Sequence, residues 1–227
     1  MRVLAIDTAL AACSAALLDL DRGGILAHQS RAMERGHAEA LMPMIARVMK
    51  ASGIAFAGLD RIAVTTGPGS FTGLRVGIAA ARGLALAAGK PAVGLTTLAA
   101  YAAPLIAADD TLPVVSAIDA RHDHVYLQVF GPGGRTIVAP RLAPLREALR
   151  AAASGAPRLV GTAAAMLAAA WPAGERAPSL VDPRRAPDID WVARLGAAAV
   201  ETGVPPKPLY LRAPDAQPQN AAQLARR

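Results

Sequence analysis

Residues 61–89 read RIAVTTGPGSFTGLRVGIAAARGLALAAG. The opening RIAVT is mostly apolar, the pattern of a strand buried on both faces. At Thr66 it gives way to Gly67-Pro68-Gly69-Ser70. Glycine permits positive φ and close backbone approach, proline stiffens the turn, and Ser70 is placed to cap a helix. From Phe71 to Ala88 the pattern is helical, and Gly89 stops it. A buried strand feeding a long helix through a tight turn is part of an α/β unit, and the flanking chain extends it.

Upstream, Val3–Ile6, Cys13–Leu18 and Ile25–Gln29 are short apolar runs joined by tight turns, which predicts an antiparallel meander. His37–Ser52 changes period: Leu41, Ile45 and Val48 recur at helical spacing, Pro43 falls in the opening turns, and Gly53 ends the run. Ala92–Leu95 predicts another strand and Thr97–Ala107 another helix. Three strands and then alternating helices and strands suit a mixed sheet with helices on its faces. After Asp109-Asp110 the rhythm repeats. Val114–Asp119, Val125–Phe130 and Thr136–Ala139 read as strands, Leu142–Ala153 as a helix, and Arg158–Val160 as a strand. Thr162–Ala170 reads as a helix, Leu180-Val181 as a short strand and Asp190–Thr202 as a last helix. The expected organisation is two related α/β domains, 1–108 and 109–212, the second reduced, with a mobile tail over 213–227.

Composition narrows the function classes. Of 227 residues 53% are hydrophobic and 4% aromatic, so the core is built from Ala, Leu, Val and Ile. A net charge of +7 permits an anionic partner such as RNA. The charge is spread along the chain, with Arg outnumbering Lys 21 to 3 and no basic run, which is weak support for nucleic-acid binding. The single cysteine, Cys13, excludes an internal disulfide and a Cys-based zinc site and fits a reducing, cytoplasmic setting. Asp7 interrupts the apolar N-terminal stretch, which favours strands over a leader. The longest Ala/Leu-rich stretch, Thr162 to Ala173, is too short for a membrane span and contains Trp171-Pro172. A soluble protein is expected.

The Gly-Pro-Gly turn invites a phosphate-loop reading, because free N–H groups at a helix N-terminus attract anions. The details disagree. No lysine lies between Lys50 and Lys90, and neither G-x-x-x-x-G-K-[ST] nor a credible G-x-G-x-x-G is present. The helix is more informative: Gly73, Gly77, Ala81, Ala85 and Gly89 recur every fourth residue. A stripe without side-chain bulk lets another backbone approach at the short end of the roughly 8–10 Å interaxial range. Helix-interior glycine costs about 1 kcal/mol against alanine, so something packs against it. Either the sheet beneath or a helix of another chain fits, and periodicity leaves both open. Arg75 and Arg82, seven apart, share a face that can stay outward.

GPGSFTGLRVGIAAARGLA resembles the signature of the TsaB (YeaZ) family of bacterial tRNA threonylcarbamoyladenosine synthesis. LAIDTALAACSAALLD resembles that family's first hairpin, ERGHAEALMPMI its first interface helix, DARHDHVY the opening of its second domain and YLRAPDA a C-terminal motif. The resemblance covers the first 130 residues well and the rest loosely. It implies an actin-like ATPase (ribonuclease H-like) fold and kinship with TsaD, the catalytic subunit. It further implies a non-catalytic subunit that pairs with TsaD, is joined by the ATPase TsaE with ATP, and meets tRNA only through the complex. No cofactor is implied, and the same surface forms a homodimer when TsaD is absent. The implied pairing surface comprises His37, Glu39, Leu41, Met42, Ile45 and Val48 on the first helix. On the second it comprises Phe71, Thr72, Gly73, Leu74, Arg75, Gly77, Ile78, Ala81 and Arg82. This favours a helix of another chain against the small-residue stripe.

TsaD-like metal binding needs a His-x-x-x-His after the fifth strand. The matching stretch, Thr96 to Tyr101, holds no histidine, so metallopeptidase chemistry lacks its ligands. His122 and His124, two apart, could share a strand face and an ion, but no third ligand can be placed, and an exposed turn before Val125 is the expectation. His28 reads as a surface residue, and His37, beside Glu39, as a cap or a partner contact. Asp7 stands where actin-like ATPases organise metal and water at the phosphates. Ala9 replaces the hydroxyl residue usual there, so Asp7, Thr8 and Ser14 read as a degenerate nucleotide site without turnover. An active ATPase or kinase is the alternative; a metallopeptidase is less favoured.

Overall fold

A computed structural model describes residues 1–153 and 155–212. The expected mobile tail lies outside the described residues. The first three strands, β1 (Arg2–Asp7), β2 (Ala12–Asp19) and β3 (Gly24–Ala32), form the antiparallel meander. Helix α1 (His37–Ser52) leads to β4 (Arg61–Gly67), and α2 (Phe71–Ala88) leads to β5 (Ala92–Thr96). Both strands add parallel, giving the order β3-β2-β1-β4-β5, and α3 (Thr97–Ala108) follows.

The chain then repeats itself. Strands β6 (Val114–Asp119), β7 (His124–Phe130) and β8 (Thr136–Pro144) form a second meander. After α4 (Leu145–Ala152) come β9 (Arg158–Val160), α5 (Ala164–Ala169), β10 (Leu180–Asp182) and α6 (Ile189–Ala198). The second sheet has the order β10-β9-β6-β7-β8, the first order read from the other end. With two three-residue strands and a six-residue helix, it is the reduced copy. Two mixed sheets of this topology, flanked by helices, make up the ribonuclease H-like fold of the actin-like ATPases.

The largest departures from the expected element boundaries are at β8 and α6. Strand β8 runs on to Pro144, where a helix from Leu142 is expected. Leu142 pairs with Tyr126 and Ala143 with Val125, and the ladder holds these residues extended. Helix α6 ends at Ala198, not Thr202, because the Arg61 guanidinium takes its last carbonyls: Gly196 at 3.0 Å, Ala197 at 3.4 Å and Ala199 at 2.6 Å. The longest apolar stretch is α2 and not 162–173. Its 18 residues, with mean hydropathy 1.3, are long and apolar enough to cross a membrane by length and composition alone. In the fold it covers a sheet, with Gly73, Leu74, Gly77, Ile78, Ala81 and Ala85 buried.

Both faces of the first sheet are covered, which explains its unbroken apolar strands. On one face, Leu4, Ile6, Leu17, Ile62 and Val64 pack under Leu41 and Ile45 of α1 and Leu74 and Ile78 of α2. On the other, Val3, Ala5, Ala63 and Val93 meet Ile189, Val192 and Ala193 of α6. The last helix, which the sequence leaves unplaced, therefore returns to the first sheet. In exchange, Leu98, Tyr101 and Ala102 of α3 pack on Val114, Ile118 and Phe130 of the second.

Candidate protein interface and the closed strand-end site

Asp7, Thr8 and Ser14 are all fully or almost fully buried. Asp7 Oδ1 accepts from the Ala9 N–H at 3.1 Å and from the Thr65 hydroxyl, while Oδ2 has no partner among the described residues. Burial pushes this carboxyl above its ordinary value of 3.8, opposed in part by those two hydrogen bonds. Thr8 Oγ1 donates to the Gly73 carbonyl at 2.7 Å, and the Ser70 N–H donates to the Ala9 carbonyl at 2.7 Å. Ser70 also caps α2, its hydroxyl accepting from the Gly73 N–H. A Cβ on Gly69 would lie 2.3 Å from Ala9 O, and one on Gly73 2.1 Å from Thr8 O. The glycines thus let the Gly67–Ser70 turn and the start of α2 close onto the β1–β2 turn. Ser14 lies opposite Asp7 in the ladder, but its hydroxyl is bonded to Ser30 of β3 at 2.7 Å.

The small-residue stripe is thereby accounted for within the chain, which corrects the expectation drawn from the resemblance. A Cβ on Gly77 would meet Thr8 Oγ1 at 2.4 Å, so the stripe faces this chain's own sheet. Leu41, Ile45, Val48, Leu74, Ile78 and Ala81 are buried with it and pack within this chain. His37 is 8% exposed and does not cap α1. Gly36 holds the N-cap position, and His37 Nε2 lies 3.1 Å from the Leu10 carbonyl, joining α1 to the β1–β2 turn.

Glu39, Met42, Phe71, Thr72, Arg75 and Arg82 remain exposed. Sequence reading passed over a second run of small residues on α2. Val76, Ala80, Gly83 and Ala87 follow the spacing i, i+4, i+7, i+11, and all are exposed or half-buried. Ala46 of α1 is also exposed. At Gly83 an added Cβ would meet nothing within 4 Å, so no contact among the described residues calls for a glycine there. The spacing itself carries the signal, but the more regular glycine stripe on the same helix masks it.

The chain from Glu201 to Arg212 lies along the far side of α2. The Leu209 N–H donates to the Thr66 carbonyl at 2.8 Å, and Arg212 donates to the Ala120 carbonyl at 3.0 Å. Phe71 and Tyr210 stack with centroids 5.6 Å apart. The Arg75 guanidinium sits 3.6 Å over the Phe71 ring, and its Nε donates to the Tyr210 hydroxyl at 3.1 Å. Two open cavities, of about 480 and 590 Å³, adjoin at Arg82. Leu86, Lys90 and Val204 line the first, and Arg75, Ile78 and Tyr210 the second. Tyr210 belongs to the quoted YLRAPDA motif, but only the tertiary structure brings it to α2.

The family model described as TsaD, tRNA N6-adenosine threonylcarbamoyltransferase, matches residues 20–173, more than half of the chain. The tRNA threonylcarbamoyladenosine biosynthesis protein TsaB of Escherichia coli is 41% identical over 126 residues, 56% of this chain and 53% of that protein. An uncharacterized protein of Mycobacterium bovis is 37% identical over 216 residues, covering 95% of this chain and 94% of that one. A crystal structure of a Pseudomonas aeruginosa protein, described as similar to peptidase YEAZ, superposes with a TM-score of 0.79. It is 31% identical and covers 93% of this chain and 99% of that one. The chain belongs to the TsaD family, on its TsaB (YeaZ) branch. It spans about half the length of the TsaB proteins of E. coli and Haemophilus influenzae that it matches.

In this TsaB-family chain the stretch from Thr96 to Tyr101 joins β5 to α3 and is largely buried. Thr96 caps α3 by accepting from the Ala99 N–H at 3.0 Å, and Leu98 is buried. The Tyr101 hydroxyl donates to the Arg184 carbonyl at 3.2 Å, and burial raises its pKa. Arg121, His122 and Asp123 form the β6–β7 turn with φ of 62°, 51° and 55°, and all three are exposed. His124 opens β7, with Nδ1 bonded to the His122 carbonyl at 2.6 Å. Among the described residues no group of three His, Cys, Asp or Glu is arranged to hold a metal. His28 pairs with Asp190 of α6 at 2.7 Å.

Proposed function

We propose that this chain is a non-catalytic, activating subunit in the formation of N6-threonylcarbamoyladenosine in tRNA, pairing with TsaD and acting with the ATPase TsaE. The closure over Asp7 carries the reading. A carboxylate that organises a metal at a phosphate must be open to it and charged, whereas Asp7 is fully buried, its Oδ1 is held by Ala9 and Thr65, and burial favours its uncharged form. The outward faces of α1 and α2 are suited to pairing with another helix pair. The proposed interface keeps Glu39, Met42, Phe71, Thr72, Arg75 and Arg82 and adds Val76, Ala80, Gly83 and Ala87. The buried residues of both helices hold that surface in shape. A second copy can occupy the same face when TsaD is absent, and tRNA is met through the complex in the cytoplasm. The likeness to the tRNA threonylcarbamoyladenosine biosynthesis proteins TsaB of E. coli and H. influenzae supports the reading over the half of their length that is matched.

Light scattering on a sizing column, with the chain alone and mixed with TsaD, tests the pairing. A one-to-one complex is expected, and two unchanged peaks would refute it. Threonylcarbamoyladenosine formation by TsaD and TsaE should require the added chain. Magnesium-dependent ATP hydrolysis by the pure chain, lost in Asp7→Ala, would overturn the non-catalytic assignment.

A further inference from the structure

Only two aromatic side chains are exposed among the described residues, Phe71 at 48% and Tyr210 at 45%, and the fold stacks them on each other. The Arg75 guanidinium covers the Phe71 ring and donates to the Tyr210 hydroxyl. Tyr210 also lines the cavity of about 590 Å³, together with Pro208, Ile78, Ala79, Arg75 and Arg82. No acidic residue lines it. Glu201 belongs to the adjoining cavity, and its carboxylate is bonded to Arg61 at 2.7 Å. Neither Arg75 nor Arg82 forms an ion pair among the described residues. A stack that only pinned the 201–212 segment to α2 would bury its rings, as Pro206 is buried against Gly94. This one leaves two large rings close to half exposed.

We propose that this platform binds single-stranded RNA, with an unpaired base stacked on Tyr210 in the cavity and its phosphates met by Arg75 and Arg82. The inference rests on the reading above for the choice of RNA, and it places an RNA contact on this chain itself. Every base has a flat π face, and aromatic rings beside cations take it up once it has left the duplex. Bases inside a duplex are stacked on one another and cannot reach such a ring. Arginine suits the place better than lysine, because its planar guanidinium both stacks on rings and pairs with phosphate oxygens. Charge alone does not mark the site, since exposed arginines occur along the whole chain. The coincidence of two of them with the exposed ring pair does. Phe71 and Arg75 belong to α2 and Tyr210 to the distant 201–212 segment, so the platform exists only in the folded chain.

The test uses the full chain, without TsaD, and the fluorescence anisotropy of a labelled oligoadenylate of about ten nucleotides. Binding should weaken as salt rises, and it should be at least about fivefold tighter than binding of an abasic strand of equal length. Tyr210→Leu should lose that preference for bases. Tyr210→Trp should keep it, and its indole fluorescence should be quenched by RNA beyond any change in the unaltered chain. A residue that only pins the segment would give neither result. Arg82→Gln should flatten the slope of log affinity against log salt by about 0.7 and retain the base preference. If Tyr210→Leu folds poorly, the quenching of Tyr210→Trp decides, and its absence overturns the proposal. Equal binding of the two strands, unchanged binding by a folded Tyr210→Leu, or no binding at all also overturns it. AMP bound as tightly as the strand would assign the cavity to a mononucleotide instead and overturn the RNA contact. Pairing with TsaD is scored separately: its absence would sink the assigned function while these measurements still decide the RNA contact, and a failed RNA contact leaves the pairing untouched.

Discussion

At Asp7, Gly73 and Gly83, single atoms decide what the chain can do. Asp7 keeps its raised pKa because burial disfavours the charge more than two hydrogen bonds favour it. The folded state therefore binds this proton more tightly than the unfolded chain does. The stabilisation is complete below the ordinary value of 3.8 and is lost as pH rises through the raised folded value. Asp7→Asn retains an acceptor for Ala9 and Thr65 and removes the charge. Thermal melts should show a higher midpoint at neutral pH and a flatter pH dependence above pH 4 or so. Identical pH slopes in both proteins would contradict the buried-charge account. Asp19 works in the opposite sense. The Arg2 guanidinium lowers its pKa, so its contribution is present above the ordinary value and fades as pH falls through the lowered one.

Helix α2 presents two small-residue faces with opposite tasks. Gly73 meets the Thr8 carbonyl, so Gly73→Ala forces backbone apart. A loss of about 1–3 kcal/mol in urea unfolding is expected, as for overpacking elsewhere. Gly83 faces open space, and Gly83→Ala should raise the stability of the isolated chain by up to about 1 kcal/mol, the propensity difference between the residues. Gly83→Leu should leave the melting temperature of the isolated chain close to that of the unaltered protein and weaken pairing with TsaD at least tenfold by titration. Equal TsaD affinity would remove this face from the interface. A change such as Leu41→Glu cannot serve the same purpose, because Leu41 is 1% exposed and its loss reports on folding.

The duplication extends across the whole molecule to one residue pair. Arg61 opens β4 opposite Val3, and Arg158 opens β9 opposite Val114. Arg61 collects the carbonyls at the end of α6, the helix that follows the other sheet. Arg158 does the same at the end of α3, taking the Leu105 carbonyl of its last turn at 2.7 Å and the Leu112 carbonyl just past it at 2.9 Å. Each unit thus fastens the last helix of the other. Hydrogen bonds from a charged group contribute about 1.5–3 kcal/mol, and removing the donor leaves buried carbonyls unpaired. Arg61→Met should therefore destabilise the chain by about 2–3 kcal/mol. Hydrogen exchange should speed up first in α6, and uniform acceleration would show that Arg61 does not act through that helix.

By itself, the sequence determined the two-unit rhythm, the meanders, the Ser70 cap and the lack of imidazoles at Thr96–Tyr101, since turn residues, capping residues and ligand types act over a few positions. It could not say which way α2 faces. That helix is Ala and Gly on nearly every side, and a helical period is legible only where apolar and polar residues contrast. The backbone of Thr8 and Ala9, more than sixty residues away, decided that the regular glycine stripe lies inward. The destination of α6 was equally beyond reach, because a connection's length does not say which sheet a helix will cover. Only the tertiary structure joined Ile189 and Val192 to Val3 and Ala63, and placed Tyr210 against Phe71. Those contacts depend on complementary shape between distant segments, which no local pattern encodes.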